Sequence, residues 1–82
     1  MSVRIRGFEW DEANVRHLRK AHPHLTVELL QEIVESAKEY TAWGRDRYGK
    51  KIYGARGGRL IVLFNLKDDN TARIFSVREV RK

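Results

Sequence analysis

The chain predicts an α+β domain in which two N-terminal helices pack on an antiparallel sheet of about four to five strands. Three observations carry this expectation. Polar and apolar residues alternate from Arg4 to Trp10, the period of a half-buried strand. Two following segments repeat apolar residues at helical spacing and are separated by His22-Pro23-His24. From about Lys38 onward, aromatic and β-branched residues are punctuated by glycine and aspartate clusters, the pattern of strands joined by tight turns. With 82 residues, the chain supports one compact domain, since a second would leave neither half enough apolar side chains for a core.

The first strand stops at Asp11, whose carboxylate can accept a hydrogen bond from a free N–H of the next helix's first turn, while Trp10 packs against Val15 as a hydrophobic staple. That helix carries Val15, Leu18 and His22 on one side until Pro23 interrupts it. Thr26 caps a second helix, in which Val27, Leu30, Ile33, Val34 and Ala37 form an apolar stripe opposite Glu28, Glu32 and Glu35. Tyr40, Trp43, Tyr48, Ile52 and Tyr53 then mark two strands around a turn at 46–49, with Trp10 and Trp43 expected in the core. Gly57-Gly58 reads as a hairpin turn, residues 59–67 as an apolar strand, Asp68-Asp69-Asn70 as a turn and residues 71–80 as the last strand of a meander. Strict alternation would put Ile74, Ser76, Arg78 and Val80 on one face of that strand and Arg73, Phe75, Val77 and Glu79 on the other. A sheet face left uncovered by the helices would be a binding surface.

Composition narrows the function classes. The 41% hydrophobic and 34% charged residues suit a globular domain, and the absence of cysteine excludes disulfides, a thiolate nucleophile and cysteine-based zinc sites. No segment has the apolar length of a signal peptide or membrane span, so a cytoplasmic location is expected. The net charge of +6 attracts polyanions. Acidic residues gather at Glu28, Glu32, Glu35 and Glu39, whereas Arg45, Arg47, Lys50, Lys51, Arg56 and Arg59 crowd a later stretch.

RNA can be cleaved when its own 2′-hydroxyl attacks the adjacent phosphorus. A catalyst needs groups that move protons and groups that stabilise phosphoryl charge. Arginine suits the second task through its planar fork of donors, and histidine the first through a titration range near working pH. His17 is the proton-transfer candidate, with a partly buried, hydrogen-bonded ring as its competing reading; His22 and His24, beside Pro23, read chiefly as helix-end or loop residues, and metal ligation by the three is the further alternative. Asp11 reads chiefly as a cap. The middle arginines equally fit phosphate binding or a charged strand edge that discourages aggregation, and Tyr48 and Tyr53 either stack on bases or pack.

Three segments together resemble the BrnT family of small bacterial toxins, ribonucleases of type II toxin–antitoxin systems. They are Trp10-Asp11-Glu12-Ala13-Asn14-Val15-Arg16-His17-Leu18, the glycine-arginine turn and apolar strand Gly58-Arg59-Leu60-Ile61-Val62-Leu63-Phe64, and the closing Arg73-Ile74-Phe75-Ser76-Val77-Arg78. The resemblance spans Phe8 to Arg78. It departs from the family at residues 21–25, where Ala21-His22-Pro23-His24-Leu25 replaces a tighter histidine-glycine turn. It implies a RelE-like fold, metal-independent RNA cleavage without a cofactor, and neutralisation by a cognate ribbon-helix-helix antitoxin, alone or as a larger hetero-oligomer; a homo-oligomer is also open. The matching polar positions are Asp11, His17, Arg59, Ser76 and Arg78. With Arg47 added from chemistry, the expected catalytic set is His17, Arg47, Arg59, Ser76 and Arg78, and the expected RNA-binding set is Arg45, Lys50, Lys51, Tyr53, Arg56 and Arg73. The alternative is a non-catalytic RNA- or protein-binding module on the same fold.

Overall fold

The computed structural model describes residues 5–80. The elements are β1 (Gly7–Glu9), α1 (Glu12–Ala21), α2 (Val27–Ser36), β2 (Tyr40–Arg45), β3 (Lys51–Gly57), β4 (Leu60–Leu66) and β5 (Thr71–Glu79). The α+β class, the two helices and the strand count are as expected. The sheet order is β1-β5-β4-β3-β2. From β2 to β5 it is an antiparallel meander, but β1 lies parallel to β5, with Gly7 opposite Thr71 and Glu9 opposite Arg73. The sheet is therefore mixed rather than purely antiparallel. A crossover through both helices separates β1 from the meander, and such a connection permits parallel pairing where a tight hairpin would not. The expected first strand is confined to Gly7–Glu9, and its expected start at Arg4 lies outside the described residues.

Local chemistry starts each helix where the sequence indicates. The Asp11 carboxylate accepts from Ala13 N at 2.8 Å, and Thr26 Oγ1 accepts from Leu29 N at 3.1 Å. Asp11 also receives the Arg73 guanidinium at 2.6 Å, which ties the start of α1 to β5. The core lies between the helices and one face of the sheet: Leu18 from α1 and Leu30, Ile33 and Val34 from α2 pack over Ala55, Val62, Phe64, Ala72, Ile74 and Val77. Phe64 is its centre, with Tyr40 edge-on at 5.4 Å and Tyr53 stacked at 5.9 Å. The Tyr40 hydroxyl donates to Val34 O at 2.7 Å, so even the polar end of this ring is satisfied. A Cβ on Gly57 would stand 2.8 Å from Ile33 side-chain carbons, which is why α2 can press so closely on the end of β3.

The last strand departs from simple alternation. Leu63 pairs with Ser76 and Phe64 with Ile74, so Phe75 is an extra residue, a bulge that resets the faces. Ile74 and Val77 both point to the helix-covered core, and Ser76 and Arg78 both point away. The strict two-face assignment of 73–80 is thereby corrected.

Two outcomes follow from this packing. Phe64→Ala should destabilise the domain by roughly 3–5 kcal/mol, read as a lower urea midpoint; a loss below about 1 kcal/mol on that large-to-small scale would contradict the packing described. The pKa of Asp11 is held below its ordinary value of 3.8, first by the Ala13 N–H and then by Arg73. Because the folded value is the lower one, this contribution is present above the unfolded pKa and is lost as pH falls through the folded pKa. Asp11→Asn, which lacks this titration, should therefore lose less stability than the parent as pH falls through that window, measured by thermal melts across pH.

Candidate nucleic-acid interface

Both helices contact the sheet from the same side, α1 on β5 and α2 on β3 and β4. No described element covers the opposite face. Strand pairing sets its side chains in rows: Arg56 is opposite Ile61, which is opposite Arg78, and in the next row Thr41, Gly54, Leu63 and Ser76 stand side by side. Adjacent strands are about 4.8 Å apart, so Arg56 and Arg78 flank Ile61 with their backbones separated by roughly 10 Å. Leu63 is buried on this side although it lies outside the helix-side core. The face thus has an apolar floor with two guanidinium stems at one end and a serine beside them.

Trp43 completes this surface. Expected in the core, it is instead 39% exposed, and it lies over Gly54: a Cβ there would meet Trp43 Nε1 at 2.5 Å. The backbone of β2 enables this position, because three steps from Ala42 to Arg45 oppose two on β3 and Gly44 adopts φ +93°. This bulge turns the edge strand and leaves the indole lying across the open face. The Arg78 guanidinium carbon is 5.4 Å from the centre of the Trp43 ring, within the range of cation–π attraction. The indole and guanidinium therefore form one contiguous, aromatic and cationic platform.

The remaining sequence-predicted cations divide between the two ends of the sheet. Arg59 is exposed in the turn after β3, at the same end as Arg56 and Arg78. Arg45, Arg47, Lys50 and Lys51 gather at the β2–β3 hairpin, at the other end. The strand between Arg56 and Lys51 spans roughly 17 Å at about 3.4 Å per residue. Arg47 consequently does not join Arg59 and Arg78 around a single phosphate. Arg73 is committed to Asp11, which makes it a structural clamp instead of a free RNA ligand. Tyr53 is corrected as well: it is 6% exposed and stacked on Phe64, so its ring is unavailable to a base.

The histidines lie off the open face. His17 is exposed on α1, the element packed against the other side of β5, and the sheet separates it from Ser76 and Arg78. His22 and His24 in the loop after α1 approach β5 more closely: their Nδ1 and Nε2 atoms stand 3.7 and 3.6 Å from Glu79 Oε1, one residue beyond Arg78. Among the described residues no group of three histidine, cysteine, aspartate or glutamate side chains is arranged to hold a metal ion, and no helix is long and apolar enough to cross a membrane.

Trp43 and Gly54 are the residues of this surface that sequence reasoning missed. The available signal was glycine at Gly44 directly after a tryptophan in a strand, a combination that marks a bulge. In a Trp10→Phe background, where Trp43 is the sole indole, Arg78→Ala should increase acrylamide quenching of its fluorescence; unchanged quenching would mean that the guanidinium does not shield the ring in solution. Comparisons of this chain with protein-family models, with curated proteins and with solved structures find no match.

Proposed function

We propose that this chain is a BrnT-like endoribonuclease domain that holds single-stranded RNA on the open face of its sheet. The observation that supports the reading is the platform of Trp43 and Arg78 beside Arg56 and Ser76, on a face that no described element covers. Aromatic faces accept any base by stacking, and guanidiniums pair with phosphate oxygens two at a time. A strand laid across Ile61 and Leu63 would present its phosphates to Arg56 and Arg78 and a base to Trp43.

In this role the RNA supplies its own nucleophile, the 2′-hydroxyl, and Arg78 with Arg56 stabilises charge on the phosphoryl oxygens as the bond to the 5′-oxygen breaks. Ser76 donates a further hydrogen bond from the same face. Glu79, which His22 and His24 contact, shares the helix-side register with Val77, so none of the three histidines reaches this face and the protons are exchanged with water. A cognate antitoxin of the ribbon-helix-helix class would neutralise the domain by occupying this face.

One observation favours a second reading, a non-catalytic RNA-binding module on the same fold. All three histidines lie on α1 or the loop that follows it, and none belongs to a strand of the open face.

Purified protein incubated with single-stranded RNA in EDTA should cut the RNA and leave DNA of the same sequence intact. Arg78→Ala should slow cutting by about 10²–10³, the cost typical of losing one donor to a charged transition state, while His17→Ala should change it less than twofold. Cleavage of both polymers would refute attack by the 2′-hydroxyl. Salt-sensitive binding of intact RNA would select the non-catalytic module.

A further inference from the structure

We infer that the β2–β3 hairpin tip and the groove beside it form a second RNA seat, which takes a strand continuing round the free β2 edge from the open face to the helix-bearing face. This rests on the RNA reading above. The groove lies between the β2–β3 and β4–β5 turns, has a volume of about 740 Å³ and is lined by Arg45, Lys50, Lys51, Tyr53, Leu66 and Lys67 with Asp68 and Asp69 at its far lip. Tyr53 and Leu66 belong to the helix-side register, opposite Phe64 and Ala72. The groove therefore opens on the face away from Trp43.

The tip that overhangs it is a fixed structure. Asp46 Oδ1 accepts from both Tyr48 N and Lys50 N at 2.9 Å, Asp46 O accepts from Gly49 N at 3.0 Å, and Asp46 N donates to Lys50 O at 2.9 Å. The Arg45 guanidinium donates to Gly49 O at 2.7 Å, and Asn65 Nδ2 reaches Asp46 Oδ2 from β4 at 3.4 Å. Gly49 supplies the required positive φ of 79°. These bonds use the tip's backbone with the Asp46 carboxylate and the Arg45 guanidinium, and leave the side chains of Arg47, Tyr48 and Lys50 exposed. Tyr48 is 79% exposed, with Arg47 and Lys50 as exposed neighbours.

Charge selects the occupant. Lys67 is paired with Glu9 at 2.5 Å, and the two aspartates sit across the groove. Among the described residues, Arg45, Lys50 and Lys51 have no acidic partner within 4.0 Å. An exposed ring among unpaired cations on a preorganised loop suits a stacked base flanked by phosphates. Trp43 is on edge strand β2 and Tyr48 is five residues on, in the turn that follows it, so bases leaving the first platform meet the second ring before the groove.

The test compares RNAs of about 4 and about 16 nucleotides, the limits of single-strand site sizes on small domains. Lys50→Ala/Lys51→Ala should weaken binding of the long RNA and lower its salt slope by about 1.4, at roughly 0.7 for each phosphate no longer neutralised. The short RNA should bind within twofold of the parent, and Arg78→Ala should weaken both lengths. Unchanged melting temperature verifies the fold of each variant. A parental slope on the long RNA, or equal losses on both lengths, would overturn the second seat while leaving the first intact. Retention of polyglutamate through these lysines with a parental RNA slope would assign the groove to an acidic protein and likewise overturn it. If the parent binds neither RNA, the RNA reading itself fails and this inference falls with it.

Discussion

One extra residue in β5 decides which side chains build the core and which build the surface. Because side chains alternate with period two, an unbroken β5 that buried Ile74 would also have buried Ser76 and Arg78 and turned Val77 to water. Phe75 absorbs one step opposite the Leu63–Phe64 junction. Ile74 and Val77 can then both enter the core, the first fully buried and the second nearly so, while the polar pair is delivered together to the uncovered face. Stability and the candidate interface are thus two products of a single irregularity. A bulge costs some pairing at its own position, and the cost is offset by placing two apolar residues inside without burying an arginine.

A second irregularity, in β2, does the same for the aromatic part of the interface. Tryptophan on an edge strand would ordinarily fold over the nearest apolar neighbour. Here the extra step around Gly44 and the bare backbone of Gly54 let the indole lie over β3, where Arg78 from β5 can reach it. Three strands separated in sequence therefore converge on one platform. Close approach of backbone and ring requires glycine at Gly54 in the same way that close approach of α2 requires it at Gly57.

The elements were legible in the sequence because each is specified locally. Asp11 and Thr26 cap their helices through their own side chains, the stripe from Leu30 to Val34 has helical spacing, and glycine and aspartate mark the turns. The parallel neighbour of β5 was not legible, because pairing across a crossover depends on tertiary packing and leaves no local pattern. The faces of β5 were misassigned because a bulge breaks the period on which face assignment rests. Among site residues, Arg78, Ser76 and Arg56 do share a face, as their strands permit. Arg73 and Tyr53 carry suitable chemistry and are used elsewhere, by a carboxylate 62 positions earlier in the chain and by the core. Side-chain type gives a residue's capability; its partners decide whether that capability is free.

The distribution of charge ties the interface to the rest of the fold. The outward side of α2 carries Glu28, Glu32 and Glu35, all exposed, and α2 lies over the end of the helix-bearing face where Ile33 meets Gly57. Exposed charges act over a screening length of about 8 Å at physiological salt, so these glutamates repel a polyanion from that part of the face but not from the hairpin end. Arg56, Arg59 and Arg78 stand at the same end of the sheet as α2, and of these Arg56 and Arg78 point to the opposite face, with the sheet between them and the glutamates. Positive potential is consequently concentrated in two places: the open face, and the hairpin end of the helix-bearing face. Edge strand β2, with Trp43 exposed, and the turn that carries exposed Tyr48 join the two. The acidic helix thus confines the positive potential of the helix-bearing face to its hairpin end, while the sheet keeps Arg56 and Arg78 apart from the glutamates.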